Sequence, residues 1–279
     1  QEYEAPKMGA FYLYRYRRWS MLSFDGLIEI CQDGAGVIEV GSDKAKGFFT
    51  TGVQNCIVTI YECDGAAIMI HDSGQNQIVD ITKLVKSYGA VNRLTIVKGE
   101  AAHELHEPRL KNIIRAIGLN AKKVVRHPVV DLDTFTVVYE IGGSLEAAEI
   151  DIPAEAPRIP DLEKRETIVR ANNFFLPPKS QSLPLTIEYR DGKYSDVPKL
   201  GRSLGQMLKA VKEQPEYFFL NLSVLYDAHE QGLIEMPTYL REIVIQSDLK
   251  EAIFKGLSDY RKAAQYGEHQ KYLRHLAES

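Results

Sequence analysis

The residues with the clearest capacity for chemistry lie in the stretch 49–73, which reads FTTGVQNCIVTIYECDGAAIMIHDS. A thiol, Cys56, precedes an imidazole, His71, and a thiol beside an imidazole is a nucleophile with its base. For the two to meet, they must share one face of whatever structure carries them. Ile57 to Tyr61 are β-favouring, Ala66 to Ile70 are apolar, and Cys63-Asp64-Gly65 stand between. Two such runs across Asp-Gly predict a hairpin, because Asp and Gly tolerate the positive φ of a tight turn. A two-residue turn at Asp64-Gly65 sets Val58 opposite His71 and Cys56 opposite Ser73. Cys56 and His71 are then diagonal neighbours, about 7–8 Å apart and within side-chain reach. One more residue in the turn sends His71 to the other face. Alternation also puts Cys63 on the face opposite Cys56. The ordinary alternative is that a strand Cys is a small buried hydrophobe, and with 3 Cys and 7 His in the chain one such pair does not define a site.

The residues around the pair add to it. Thr50-Thr51-Gly52-Val53-Gln54-Asn55-Cys56 resembles the TLGLGSC segment of CheD, the bacterial chemoreceptor glutamine deamidase. In that family a His follows on the next strand, as His71 does here, and the cytotoxic necrotizing factor toxins share the thiol–imidazole site. The resemblance covers residues 33–150 and departs at Gln54-Asn55, where CheD has Gly-Ser. It implies that Cys56 attacks a side-chain carboxamide, that His71 protonates the departing ammonia, and that Thr50 orients His71 through its hydroxyl or its carbonyl. The backbone N–H of Cys56, with a neighbour from Gly52, Gln54 or Asn55, is the implied oxyanion donor. Asn55 before a strand is equally a turn residue. Ser73 is a weaker candidate from the hairpin register.

Other elements must hold this hairpin. Gly26 to Ile30 and Val37 to Val40 read as short strands across the turn Asp33-Gly34-Ala35-Gly36, with Cys31 as a structural thiol. Ile78, Ile81, Leu84, Val85 and Tyr88 follow helical spacing up to Gly89, and 93–97 read as a strand. Pro108 suits the first turn of a helix with Leu110, Ile113, Ile114 and Ile117 on its core face, ended by Gly118. Residues 123–130 and 134–141 read as strands. The expected fold is α/β: a layered, CheD-like sandwich of antiparallel or mixed sheets with helices.

The expected deamidase domain spans 1–152. Pro153, Pro157 and Pro160 mark a linker at 153–162, and 163–279 read as a mainly helical C-terminal module, with helical spacing at Leu204, Met207, Leu208 and Val211 and across 218–226 and 253–266. Its uses are partner docking or buttressing, and CheD-like proteins lack such an addition. Leu185 to Tyr189 reads as a strand turning at Asp191-Gly192. Residues 11–19, FYLYRYRRW, alternate Tyr with Leu and Arg, which fits a strand with one packed and one solvated face.

Lys and Arg number 34 against 38 Asp and Glu, a formal charge of −4, so no nucleic-acid footprint is expected. An odd number of Cys in a chain of 279 residues makes no disulfide framework and suits a reducing compartment. No apolar run approaches the length of a membrane span, and no secretory layout opens the chain. A soluble protein is expected, cytoplasmic or delivered into a host cytosol as an effector or toxin. His103-Glu104-Leu105-His106-Glu107 lacks the HExxH spacing, and no phosphate loop or dinucleotide fingerprint is present, so neither metal nor cofactor is expected. The expected function is protein-glutamine deamidation by a cysteine amidohydrolase, its partner a protein bearing a reactive glutamine or asparagine. N-terminal asparagine amidohydrolases, which resemble this region too, transglutaminases and a silent binding module remain open alternatives.

Overall fold

In the computed structural model the hairpin pairs in the expected register: β4 (Ile57–Cys63) runs antiparallel to β5 (Ala66–Asp72), with Val58 opposite His71. The structure describes residues 23–41, 44–102, 106–175, 183–198, 222–236, 238, 241 and 267. The remaining strands are β1 (Leu27–Glu29), β2 (Gly34–Glu39), β3 (Gly47–Val53), β6 (Val91–Gly99), β7 (Val124–Val129), β8 (Phe135–Glu140), β9 (Leu145–Ala148), β10 (Thr186–Arg190) and β11 (Lys193–Tyr194). The helices are α1 (Ile78–Lys86), α2 (His106–Ile117), α3 (Leu162–Phe175) and α4 (Leu222–Glu230).

The strands form two mixed sheets, a smaller one in the order β1-β3-β8-β9 and a larger one in the order β11-β10-β2-β5-β4-β6-β7. The larger sheet is covered on both faces, so its central strand β5 is buried at every position, and its apolar run is continuous rather than alternating. Ile57, Tyr61, Ile68 and Ile70 face the layer that holds Leu84, Val85, Leu110 and Ile113 of α1 and α2. Val58, Ile60, Ala67 and Met69 face the smaller sheet and pack with Phe48, Val53, Phe135 and Val137. The outer face of the smaller sheet is covered by Phe24, Leu27, Phe49, Val138 and Ala156. The result is a mixed α/β sandwich with the hairpin at its centre. No helix of the described residues is long and apolar enough to cross a membrane.

Several expectations are corrected. Neither Asp64 nor Gly65 takes a positive φ. The turn is held from outside instead: Asp64 N donates to Ala90 O at 3.0 Å, Gly65 N to Tyr88 O at 2.9 Å, and Asp64 Oδ2 accepts from Ala90 N at 3.1 Å. The other Asp-Gly turn, Asp191-Gly192 between β10 and β11, has φ of 55° and 73°, the type I′ pattern. His106 opens α2, and residues 103–105 of that His/Glu run lie outside the described residues.

The strand expected at Leu185 to Tyr189, turning at Asp191-Gly192, forms as β10 with β11. β10 pairs in parallel with β2 and extends the larger sheet, Thr186 opposite Gly34. Gly34 is required there, because a Cβ would stand 2.3 Å from Glu188 Cδ. The segment expected as a free linker is packed as well: Ile159 is buried, and its N–H donates to the buried Glu29 Oε2 at 2.8 Å. Residues 186–194 therefore share the sheet of the expected first domain, because strand pairing joins segments that are distant in sequence. The stretch 11–19, the helical runs at 204–211 and 253–266, and residues 218–221 lie outside the described residues.

Candidate active site

The site is built where β3, β4 and β5 meet. The smaller sheet supplies Thr50. Phe48 points into the layer between the sheets and Phe49 away from it, so alternation turns Thr50 toward the larger sheet. Beyond Thr50 the ladder with β8 shifts: Thr50 pairs with Val137 and Val53 with Phe135. The extra residue is accommodated at Gly52, whose φ is +66°, and the connection bends toward β4. Gly52, Gln54 and Asn55 are exposed at the rim, and Cys56 follows them into the buried layer just ahead of β4. Bulges at sheet edges commonly re-aim a side chain in this way.

His71 is 1% exposed. Pairing opposite Val58 puts it on the Cys56 face of the hairpin, whereas Cys63 packs on the helix face. Its Nδ1 lies 2.8 Å from Thr50 Oγ1, and Thr50 Oγ1 donates at 2.5 Å to Ile30 O. A hydroxyl has one proton to donate. With that proton on Ile30 O, Thr50 accepts from His71 Nδ1–H, and the imidazole is left with its lone pair on Nε2. Nε2 is buried and has no hydrogen-bond partner among the described residues, Cys56 Sγ included. Thr50 thus orients His71 through its hydroxyl.

Charge is stored immediately around the pair. Asp33, at φ +60°, donates its N–H to His71 O at 2.6 Å. Its Oδ1 accepts from Ser73 N at 3.0 Å and Ser73 Oγ at 2.7 Å, so Ser73 is engaged by a carboxylate rather than by the thiol. Asp72, on the helix face, takes Arg109 Nε on Oδ2 at 2.8 Å, and both side chains are 2% exposed. Arg109 Nη2 also donates to Asn76 O.

Burial and these two carboxylates push the Cys56 thiol up to about 12. Burial pulls His71 down to about 4, and pushes Asp33 up to about 6. At rest the Cys56 thiol and the His71 imidazole are therefore both neutral. Desolvation disfavours both charged forms. All three cysteines, Cys31, Cys56 and Cys63, are free and buried. Among the described residues no three of His, Cys, Asp and Glu converge as a metal site.

Sequence reasoning brought Cys56, His71 and Thr50 to one place, with Gly52, Gln54 and Asn55 at its rim. It missed Asp33, Asp72, Arg109 and His106. A carboxylate inside an apolar strand, as at Asp72, was a usable signal for a buried ion pair; Arg109 and His106 carried none. No protein-family model and no curated protein matches the chain.

Proposed function

We propose that the chain is a cysteine-dependent amidohydrolase that converts the side-chain carboxamide of a protein glutamine to a carboxylate. The observation that carries this reading is the tautomer set by Thr50: it leaves an unpartnered, buried Nε2 lone pair on the hairpin face that holds Cys56. An imidazole in that state is a general base awaiting a proton.

In the proposed sequence Cys56 Sγ attacks the carboxamide carbon as its proton passes to His71 Nε2. The carbonyl π electrons move to oxygen, where the Cys56 N–H donates. His71 returns the proton to the nitrogen, the C–N bond breaks, and ammonia leaves a thioester. Water then attacks the thioester carbon as one of its protons passes to His71; the C–S bond breaks, His71 returns that proton to Sγ, and the carboxylic acid is released and ionises in solvent. An imidazole pulled down to about 4 makes a strong acid once protonated, which suits expulsion of ammonia.

The competing reading, a Cys/His pair without turnover, draws on the burial of Cys56 and its raised thiol pKa. Ammonia release from glutamine-bearing proteins separates the two: it should occur with the wild type and vanish in Cys56→Ala. Equal release by both would end the amidohydrolase reading. Release only from substrates with a free N-terminal asparagine would move it to that class, and incorporation of an added primary amine would move it to transamidation.

A further inference from the structure

We infer that His106 is a positioning residue that sets the direction of the oxyanion-binding N–H, an inference that rests on the amidohydrolase reading. His106 opens α2 and is 1% exposed. Its Nε2 lies 2.9 Å from Asn55 O. A carbonyl only accepts, so Nε2 carries the proton and donates. Asn55 C=O and Cys56 N–H belong to one peptide unit, which is planar and trans, and the two bonds point in opposite directions. Holding the carbonyl therefore aims the N–H.

Two observations make this hold more than ordinary packing. The held peptide lies in a segment that the β3–β8 ladder has just released, with Gln54 and Asn55 exposed, so the ladder does not fix its plane. Among the described residues no hydrogen bond from the Cys56 N–H is found, which leaves that donor for an incoming oxygen. His106 is itself fixed. Its ring lies against Gly74, where a Cβ would come within 3.2 Å of Cε1, and Arg109, one turn along α2, is locked to Asp72 beside His71. A single helix thereby references both the nucleophile's peptide and the base's strand. Oxyanion donors act only if they are preorganised.

The test uses the full chain as wild type, His106→Met, which fills the space without a donor, and His106→Gln, whose amide restores an N–H. Three readings are taken: ammonia release from benzyloxycarbonyl-Gln-Gly, reversible addition of a short peptide aldehyde to Cys56, and alkylation by iodoacetamide. Aldehyde addition forms the Sγ–C bond, breaks the C=O π bond and moves the thiol proton to the new oxygen, which occupies the oxyanion position; alkylation generates no oxyanion. Loss of one oxyanion donor costs about 10²–10³-fold, and misaiming one should cost about 10–100-fold. His106→Met should lose that much in kcat and in aldehyde affinity, with KM and the alkylation rate unchanged, and His106→Gln should recover most of both. If His106→Met fails to fold, His106→Phe replaces it. Retention of kcat and aldehyde affinity in the donorless variant overturns the inference, as does a parallel fall in alkylation that Gln does not rescue. If the wild type releases no ammonia while the aldehyde pattern holds, the deamidase reading fails and the role of His106 stands; if no variant binds aldehyde differently, the role of His106 fails by itself.

Discussion

The β4–β5 hairpin carries a cysteine and an aspartate at each end, and its two ends treat them in opposite ways. At the turn, Asp64 lies at the surface and its oxygens accept from Ala90 N and Asn92 Nδ2, which lowers its pKa. Cys63 beside it packs against the helix layer with Sγ 3.9 Å from Val85 O. At the mouth, Asp72, Asp33, His71 and Arg109 are buried together, and two of their polar atoms, His71 Nε2 and Arg109 Nη1, have no partner among the described residues. Unsatisfied buried groups are costly and uncommon. One further such atom, Tyr61 Oη, lies in the middle of β4, so the turn end of the hairpin is the satisfied one.

The sharpest way to break this comparison is to remove the proposed base. His71→Gln should lower ammonia release about 10²–10⁴-fold, whereas Asp64→Ala at the turn should leave it unchanged. Equal activity in His71→Gln and wild type, measured on the same substrate, would remove the functional meaning of the mouth.

Arg109→Met comes next and reads stability. It strands Asp72 as a buried unpaired charge and should cost about 3–5 kcal/mol in urea unfolding. Asp72→Leu added to it should recover most of the loss, because an apolar pair replaces the ion pair. A penalty under about 1 kcal/mol, the scale of exposed pairs, would mean that Asp72 and Arg109 behave like surface charges.

Thr50→Val tests the tautomer. It removes the acceptor for Nδ1–H and the donor to Ile30 O, and leaving a buried group unsatisfied costs about 1–3 kcal/mol. The nitrogen-15 shifts of His71 should report the proton on Nδ1 in the wild type and its redistribution toward Nε2 in the variant. A wild-type proton on Nε2 would contradict the arrangement outright.

The smallest effect is the dependence on pH. His71 is pulled down to about 4, so between about 6.5 and 4 the unfolded chain takes up a proton that the native state refuses. Its contribution is present above that window and lost as pH falls, by at most about 1.4 kcal/mol per pH unit. Asp33 is pushed up to about 6; its contribution has the opposite sign, present below about 4 and lost as pH rises through 6. The two largely offset each other across about pH 4–6. Relative to wild type, His71→Gln should gain stability on acidification and Asp33→Asn should lose it, read from urea midpoints at several pH values. Parallel curves for all three proteins would show that neither group is buried in the form described.

What was legible in the sequence follows from short-range rules. The hairpin, its register and the shared face of Cys56 and His71 come from period-two alternation and a two-residue connection, both local properties. Helices ending at Gly89 and Gly118, with φ of 88° and 71°, were legible for the same reason. The conformation of the Asp64-Gly65 turn was not, because the hydrogen bonds its N–H groups donate to Ala90 O and Tyr88 O override what the dipeptide prefers alone.

The sequence by itself determined which residues are available to react and on which side of the hairpin they stand. The tertiary structure decided their protonation, since burial holds both the thiol and the imidazole neutral. It also decided the company they keep: Thr50 comes from the other sheet, Arg109 and His106 from α2, and Glu188, buried and pushed up to about 7, from a strand 157 residues beyond the Cys31 N–H it accepts. No local pattern encodes such partners. Desolvation and long-range strand pairing depend on what closes over a residue, and that is known only when the sheets have packed.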